Sequence, residues 1–291
     1  MRLLSFIVDG KRSWGGVVDG GVADLGAHFS AKGWTGLRAM LEANGLAEVR
    51  AALAGAKPDY TLDELILAPV IPDPDKIVCV GMNYHDHVVE TGRAVTENPS
   101  LFARFAGSQL GHGQPMIRPR VSQQFDYEGE LAVVIGKAGR HILQSDALSH
   151  IAGYSCYNDG SVRDWQRHTT QFLPGKTFAG TGAFGPWMVT ADEIPDPTRL
   201  TLETRLNGQV VQHTTTDLLI ASIPQIISYL SAVLPLLPGD VIVTGTPGGV
   251  GAKHNPPLWM KPGDIVEVEI SGVGLLCNPI VDESEIIDEA A

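Results

Sequence analysis

The sequence predicts a mostly-β or α+β protein, and three observations carry that reading. Short apolar, β-branched runs recur between glycine and proline signals, at residues 77–80, 131–135, 187–190, 200–206, 241–244 and 265–270. Asn207-Gly208, between two such runs, is a two-residue hairpin signal. Stretches with helical period are few, and 33 Gly and 19 Pro punctuate the rest, which suits a roll of strands with a few covering helices.

Taken in order, residues 1–70 read as a small N-terminal α+β domain and 71–291 as a larger one. Residues 3–8 and 15–18 are strands joined through the turn signal Asp9-Gly10. Residues 37–53 carry Leu37, Met40, Leu41, Leu46, Val49 and Leu53 at helical spacing, with Gly45 interrupting. Pro69, Pro72 and Pro74 then mark a linker or domain edge. Beyond it the clearest helix is 218–234, with Pro224 in its first turn.

A net charge of −12 argues against nucleic acid or an anionic membrane as the main partner. Cys79, Cys156 and Cys277 are scattered among apolar neighbours, which suits reduced thiols in a cytoplasm rather than a disulfide framework or a zinc site. The N-terminal apolar stretch is too short and too soon charged for a signal peptide, and no run approaches membrane-spanning length.

The chemistry gathers in four places. In Phe125-Asp126-Tyr127-Glu128-Gly129-Glu130 an acidic start leads into an apolar strand, and residues i and i+2 of a strand share a face. Two carboxylates side by side repel unless a proton or cation lies between them, and oxygen ligands suit Mg²⁺, Mn²⁺ or Ca²⁺. Taken alone, the pair would pass for a solvated strand start. In Tyr84-His85-Asp86-His87-Val88-Val89-Glu90 a helix would bring His87 and Glu90 together at i and i+3, and a carboxylate beside an imidazole makes a general base. His85 competes on the same segment, but its glutamate lies on another face. Asp159, in Asn158-Asp159, could add a third oxygen ligand, while Arg163 and Lys176 could clamp a carboxylate, stabilise an enolate or form surface salt bridges. Thr244-Gly245-Thr246-Pro247-Gly248-Gly249 offers amides and a hydroxyl to an anion, or is merely a tight turn.

Together and in this order these segments resemble the fumarylacetoacetate hydrolase family, in its bacterial branch with a short N-terminal domain. The matching residues are Val80-Gly81-Met82-Asn83-Tyr84 with His87 and Glu90, then Tyr127-Glu128-Gly129-Glu130-Leu131 and Asn158-Asp159 with Arg163-Asp164-Trp165-Gln166. They continue through Gly175-Lys176-Thr177-Phe178, Thr244-Gly245-Thr246-Pro247 and Lys261-Pro262-Gly263-Asp264. The resemblance implies a mixed β-sandwich roll, a homodimer, and Mg²⁺ or Mn²⁺ at Glu128, Glu130 and Asp159. It implies His87, Glu90 and Lys176 as catalytic groups and Arg163, Gln166 and Thr246 as substrate contacts. Where many relatives carry Phe-x-Lys-Pro, this chain has Phe102-Ala103-Arg104-Phe105, so Arg104 is expected at the substrate's distal group as a planar fork.

The expected reaction is hydrolysis of a carbon–carbon bond in a 2-oxo or 1,3-diketo acid of acylpyruvate or fumarylpyruvate type. Decarboxylation of oxaloacetate, or isomerisation of an unsaturated 2-oxo diacid, would use the same site. A metal-dependent binding protein without turnover is a third reading.

Overall fold

A computed structural model describes residues 1–284, which form two large β-sheets packed face to face and a two-stranded ribbon, Phe125–Asp126 with Ser161–Val162. The larger has eleven strands, and its main path crosses Arg2–Val8, Gly182–Thr190, Ile151–Asp159, Gly129–Ile135, Val241–Val243, Ile77–Gly81 and Ser100–Arg104. The smaller orders Gln209–Thr215, Thr201–Leu206, Ile265–Ile270, Gly274–Asp282 and Met116–Arg118. Most pairs are antiparallel, but Val241–Val243 runs parallel to Ile77–Gly81. This is the mostly-β fold that the strand pattern predicts, in the mixed sandwich that the family resemblance implies.

The central strands are covered on both faces, which is why they read as unbroken apolar runs. Leu131, Val133 and Ile135 pack toward Leu202, Val266 and Val268 of the smaller sheet. Ala132 and Val134 point the other way, into a cluster with Leu37, Met40 and Val49 of the N-terminal helices. Arg2–Val8 pairs with Gly182–Thr190 at Arg2↔Val189 and Leu3↔Met188, so the first strands continue the large sheet.

Turn chemistry follows the sequence closely. Asp9-Gly10 and Asn207-Gly208 both have positive φ at each central residue, the geometry that matches the twist of the strands they join. The single helix expected over 37–53 is instead two, Leu37–Glu42 and Leu46–Leu53. Asn44 turns left-handed at φ 55, and a Cβ at Gly45 would lie 2.5 Å from the Trp34 ring, so the indole occupies the space a continuous helix would need. Likewise 218–234 begins as a 3₁₀ turn, Thr216–Leu218, and the helix is Ile223–Val233. Its start is fixed by a Ser222–Gln225 capping box with Pro224 in the first turn.

Candidate active site

The acidic pair stands where the strand pattern places it, at the end of the central strand Gly129–Ile135. Asp159 closes the neighbouring strand, and its N–H donates to the Glu128 carbonyl at 2.8 Å. Glu128, Glu130 and Asp159 therefore share one face of the sheet. Carboxylate oxygens from all three lie within 4.8 Å of one another, and each residue is at most 5% exposed. The glycine between the glutamates is required by packing. A Cβ on Gly129 would meet Thr204 Oγ1 of the smaller sheet at 2.1 Å.

Three buried cations surround this cluster. Lys176 Nζ donates to Glu128 Oε2 and to Asp159 Oδ2, each at 2.6 Å. Arg163 Nη1 lies 2.6 Å from Glu128 Oε1, and its Nε donates to Asp126 Oδ2 at 2.7 Å. Arg104 is paired with Asp159 from behind. Burial alone would raise the Glu128 carboxyl, but Lys176 and Arg163 overcome it and hold the group down at about 2. Glu130 moves the other way, well above the usual range, through burial and then the charges of Asp159 and Glu128. Its hydrogen-bond donor is the Gly245 amide.

His87 and Glu90 lie on the helix His85–Thr91, at the mouth of the strand Ile77–Gly81. His87 Nδ1 is 2.7 Å from Glu90 Oε1, whose other oxygen accepts from the Gly249 amide at 2.9 Å. A donating Nδ1–H leaves Nε2 as the basic nitrogen. Asn83 anchors the segment, donating to the carbonyls of Ala221 and Thr244 and accepting from the Ala221 amide. Thr246 Oγ1 donates to the Gly129 carbonyl and accepts from Gln212 Nε2.

A cavity of about 670 Å³ opens onto these groups, and His87, Glu128, Glu130, Arg163, Lys176 and Thr246 all line it. Arg163 Nη2 is buried and has no acceptor among the described residues. An unpaired guanidinium N–H on a residue that lines the cavity can take a ligand oxygen once the side chain turns to meet it.

Residues 76–281 match the model of the fumarylacetoacetate (FAA) hydrolase C-terminal domain. The chain belongs to the fumarylacetoacetate hydrolase family. It is 42% identical over 238 residues to the mitochondrial oxaloacetate tautomerase FAHD2A of Homo sapiens, covering 81% of this chain and 76% of that one. A solved structure of a putative HpcE protein from Mycobacterium smegmatis superposes with a TM-score of 0.89 at 35% identity, covering 97% of this chain and all of that one. Maleylpyruvate hydrolase from Sphingobium sp. SYK-6, solved with a manganese(II) ion and pyruvate, superposes with a TM-score of 0.80 at 29% identity, covering 97% and 99%. The relatives thus include mammalian as well as bacterial members of the family.

The donor set of this family member suits a divalent cation. Four buried carboxyls, Asp126, Glu128, Glu130 and Asp159, face three buried cations, Arg104, Arg163 and Lys176, and the one left over is met by a proton on the raised Glu130 or by a bound cation. All-oxygen ligation favours a hard ion such as Mg²⁺ or Mn²⁺.

One expected contact is corrected. Arg104 is 2% exposed, and its fork is spent on Asp159, the Gly160 carbonyl, Thr181 and Ser108. It lies behind the acidic cluster and does not line the cavity, so it positions Asp159 and cannot reach a substrate's distal group. Glu90 also stands off the cavity wall, acting through His87. Gln166 lines the cavity, with its Oε1 accepting from Arg163 Nη1 at 3.1 Å.

Two contributors had no separate reading in the sequence. Asp126, fully buried, accepts from Arg163 Nε and from the amides of Tyr127, Gly251 and Ala252. Gln212 bridges the Gly129 amide to Thr246. An acid two residues before the glutamate pair is a visible signal for the first. Nothing local marks the second.

Proposed function

We propose that this chain interconverts the keto and enol forms of a 2-oxo acid of oxaloacetate type, using a divalent cation. The unpaired Arg163 Nη2 beside His87 and the three acids is the observation that carries this reading. It offers one end of the cavity to a carboxylate, with a base and a cation site next to it. The likeness to oxaloacetate tautomerases favours enolisation over the hydrolysis that the sequence suggested first.

Glu128, Glu130 and Asp159 would hold the Mg²⁺ or Mn²⁺, which when bound supplies Lewis-acid polarisation of a keto oxygen. Arg163 Nη2, with Gln166, receives the carboxylate next to that keto group. His87 Nε2, oriented by the Nδ1 contact to Glu90, removes a proton from the adjacent carbon. The electron pair of that C–H bond becomes the enol double bond, and the keto oxygen gains the proton. Lys176 Nζ, already poised between Glu128 and Asp159, places positive charge beside the growing negative charge on oxygen.

The test is the decay of enol-oxaloacetate absorbance in the presence of Mn²⁺. His87→Ala should slow it by about 100-fold or more while leaving Mn²⁺ affinity in place. Wild-type protein that leaves the enol decay at the buffer rate would overturn the proposal.

One observation favours a second reading, carbon–carbon hydrolysis of a longer diketo acid. The cavity of about 670 Å³ is far larger than a four-carbon acid fills, and a neighbouring structure is a maleylpyruvate hydrolase. In that reaction His87 would deprotonate a water instead. Pyruvate release from an acylpyruvate would distinguish the two.

A further inference from the structure

The inner and outer parts of the cavity carry opposite charge. Its floor holds Glu128 and Glu130, whereas its outer lining carries Arg93, Arg167 and Lys253 and no carboxylate. All three cations are exposed, and none has a carboxylate within 4 Å among the described residues. Each follows directly on a piece of the machinery. Arg93 comes just after the helix His85–Thr91, which bears His87 and Glu90. Arg167 caps the short helix Arg163–Gln166. Lys253 ends the 3₁₀ turn Gly251–Lys253, whose Gly251 and Ala252 amides are tied to Asp126.

Arg93 is the best held of the three. Its guanidinium lies 5.3 Å from the centroid of the Phe172 ring, and Nη1 is 3.7 Å from Met82 Sδ. Stacking on the ring leaves the edges of the fork free for an oxyanion. The three cations arise from separate segments and gather at one opening of a chain whose net charge is −12. A dianion approaching such a protein is repelled at long range and needs a local field of opposite sign.

We propose that Arg93, Arg167 and Lys253 recognise the second, distal carboxylate of a 2-oxo dicarboxylate and select diacids over monoacids. The inference rests on the reading that Arg163 and the acidic cluster receive the 2-oxo-carboxylate end. It assigns the far end of the substrate to three residues that the acid–base chemistry does not use. Exposed charges of this kind act on capture more than on the chemical step, so their effect falls on binding and kcat/KM rather than on kcat.

Two ligands of Mn²⁺-loaded protein, compared by titration calorimetry, test it. Oxalate fills only the inner end, and 2-oxoglutarate adds a distal carboxylate. In the triple variant Arg93→Ala/Arg167→Ala/Lys253→Ala, 2-oxoglutarate should bind about 10- to 100-fold more weakly. Oxalate should stay within about twofold, since none of its partners has changed. Added salt should weaken 2-oxoglutarate binding in the wild type and much less in the variant. Equal losses for both ligands, or no loss for either, would overturn the assignment. A wild-type protein that binds neither ligand would instead remove the keto-acid reading beneath it, and the assignment with it. Arg93→Lys separates charge from stacking: retention of most of the 2-oxoglutarate affinity supports recognition by charge, and a loss as large as that of Arg93→Ala counts against it.

Discussion

At the scale of single residues, Asp126 shows how much of the site is held by groups that touch no substrate. Its Oδ1 accepts from Tyr127 N and Gly251 N, and its Oδ2 from Arg163 Nε and Ala252 N. Asparagine in its place turns an amino group toward two of these donors and removes the charge that orients Arg163. Losing a charge-assisted hydrogen bond costs about 1.5–3 kcal/mol. Asp126→Asn should therefore raise KM for the keto acid roughly 10- to 100-fold, with a smaller change in kcat and an unaltered Mn²⁺ affinity. A fall in kcat alone would place Asp126 elsewhere in the reaction. Cysteine reactivity gives a second test. Burial pushes the Cys156 thiol up to about 12 and Cys79 well above its ordinary value, so both stay protonated near pH 8. Native protein should present at most Cys277 to a thiol reagent, and all three cysteines only after unfolding. The contrast with Arg104 shows what a sequence can carry at this scale. His87 and Glu90 were legible because three residues of helix separate them, a distance the local pattern encodes. Arg104 kept the expected charge, but its real partners, Asp159 and Thr181, lie 55 and 77 residues away. Only the folded sheet shows that its fork faces the back of the cluster.

Among the elements, the strand Gly129–Ile135 does most to build the site, and Gly129 is its narrowest point. One side of the strand presents Glu130, and the other meets Thr204 across the sandwich. Gly129→Ala would drive a methyl group into Thr204 Oγ1, an overpacking that typically costs about 1–3 kcal/mol. The clash is specific, which gives the prediction an internal control. Thr204 Oγ1 is buried and has no hydrogen-bond partner among the described residues, so Thr204→Ala alone should cost little. In the double variant the nearest obstacle is gone, and most of the lost stability should return. Urea unfolding of the four proteins measures the coupling, and strictly additive losses would show that Gly129 is needed for some other reason. Elements of this kind were legible where the period is two and the ends are turns, as at Asn207-Gly208. The helices were less so. Helical spacing ran through 37–53, but the register of Leu37–Glu42 ends where Trp34 packs on Gly45, a tertiary contact that periodicity does not see.

For the molecule as a whole, the largest consequence is that the site buries one more carboxyl than it has cations, between two sheets. Arg104, Arg163 and Lys176 offset three of four buried carboxylates, and Glu130 keeps a backbone amide as its donor. The pair of glutamates two apart announced an acidic cluster. It could not announce the excess, because the neutralising cations come from positions 104, 163 and 176. A cation that binds only the folded state must then stabilise it, by about 2.7 kcal/mol at one hundred times its dissociation constant. For a chain of this size that corresponds to a rise in Tm of roughly 5 °C or more. Glu130→Gln separates cause from coincidence, because the amide oxygen can still accept from Gly245 while the carboxylate that a cation would require can no longer form. The metal-free variant should melt close to wild type, since the amide is neutral like the protonated carboxyl it replaces. Adding Mn²⁺ should then leave its Tm nearly unchanged, whereas the wild type shifts upward. If Glu130→Gln kept the full shift, the ion would be held elsewhere. If the metal-free variant melted well below wild type, the Glu130 carboxyl would be stabilising the fold in its own right, beyond the contact to Gly245 that the amide preserves.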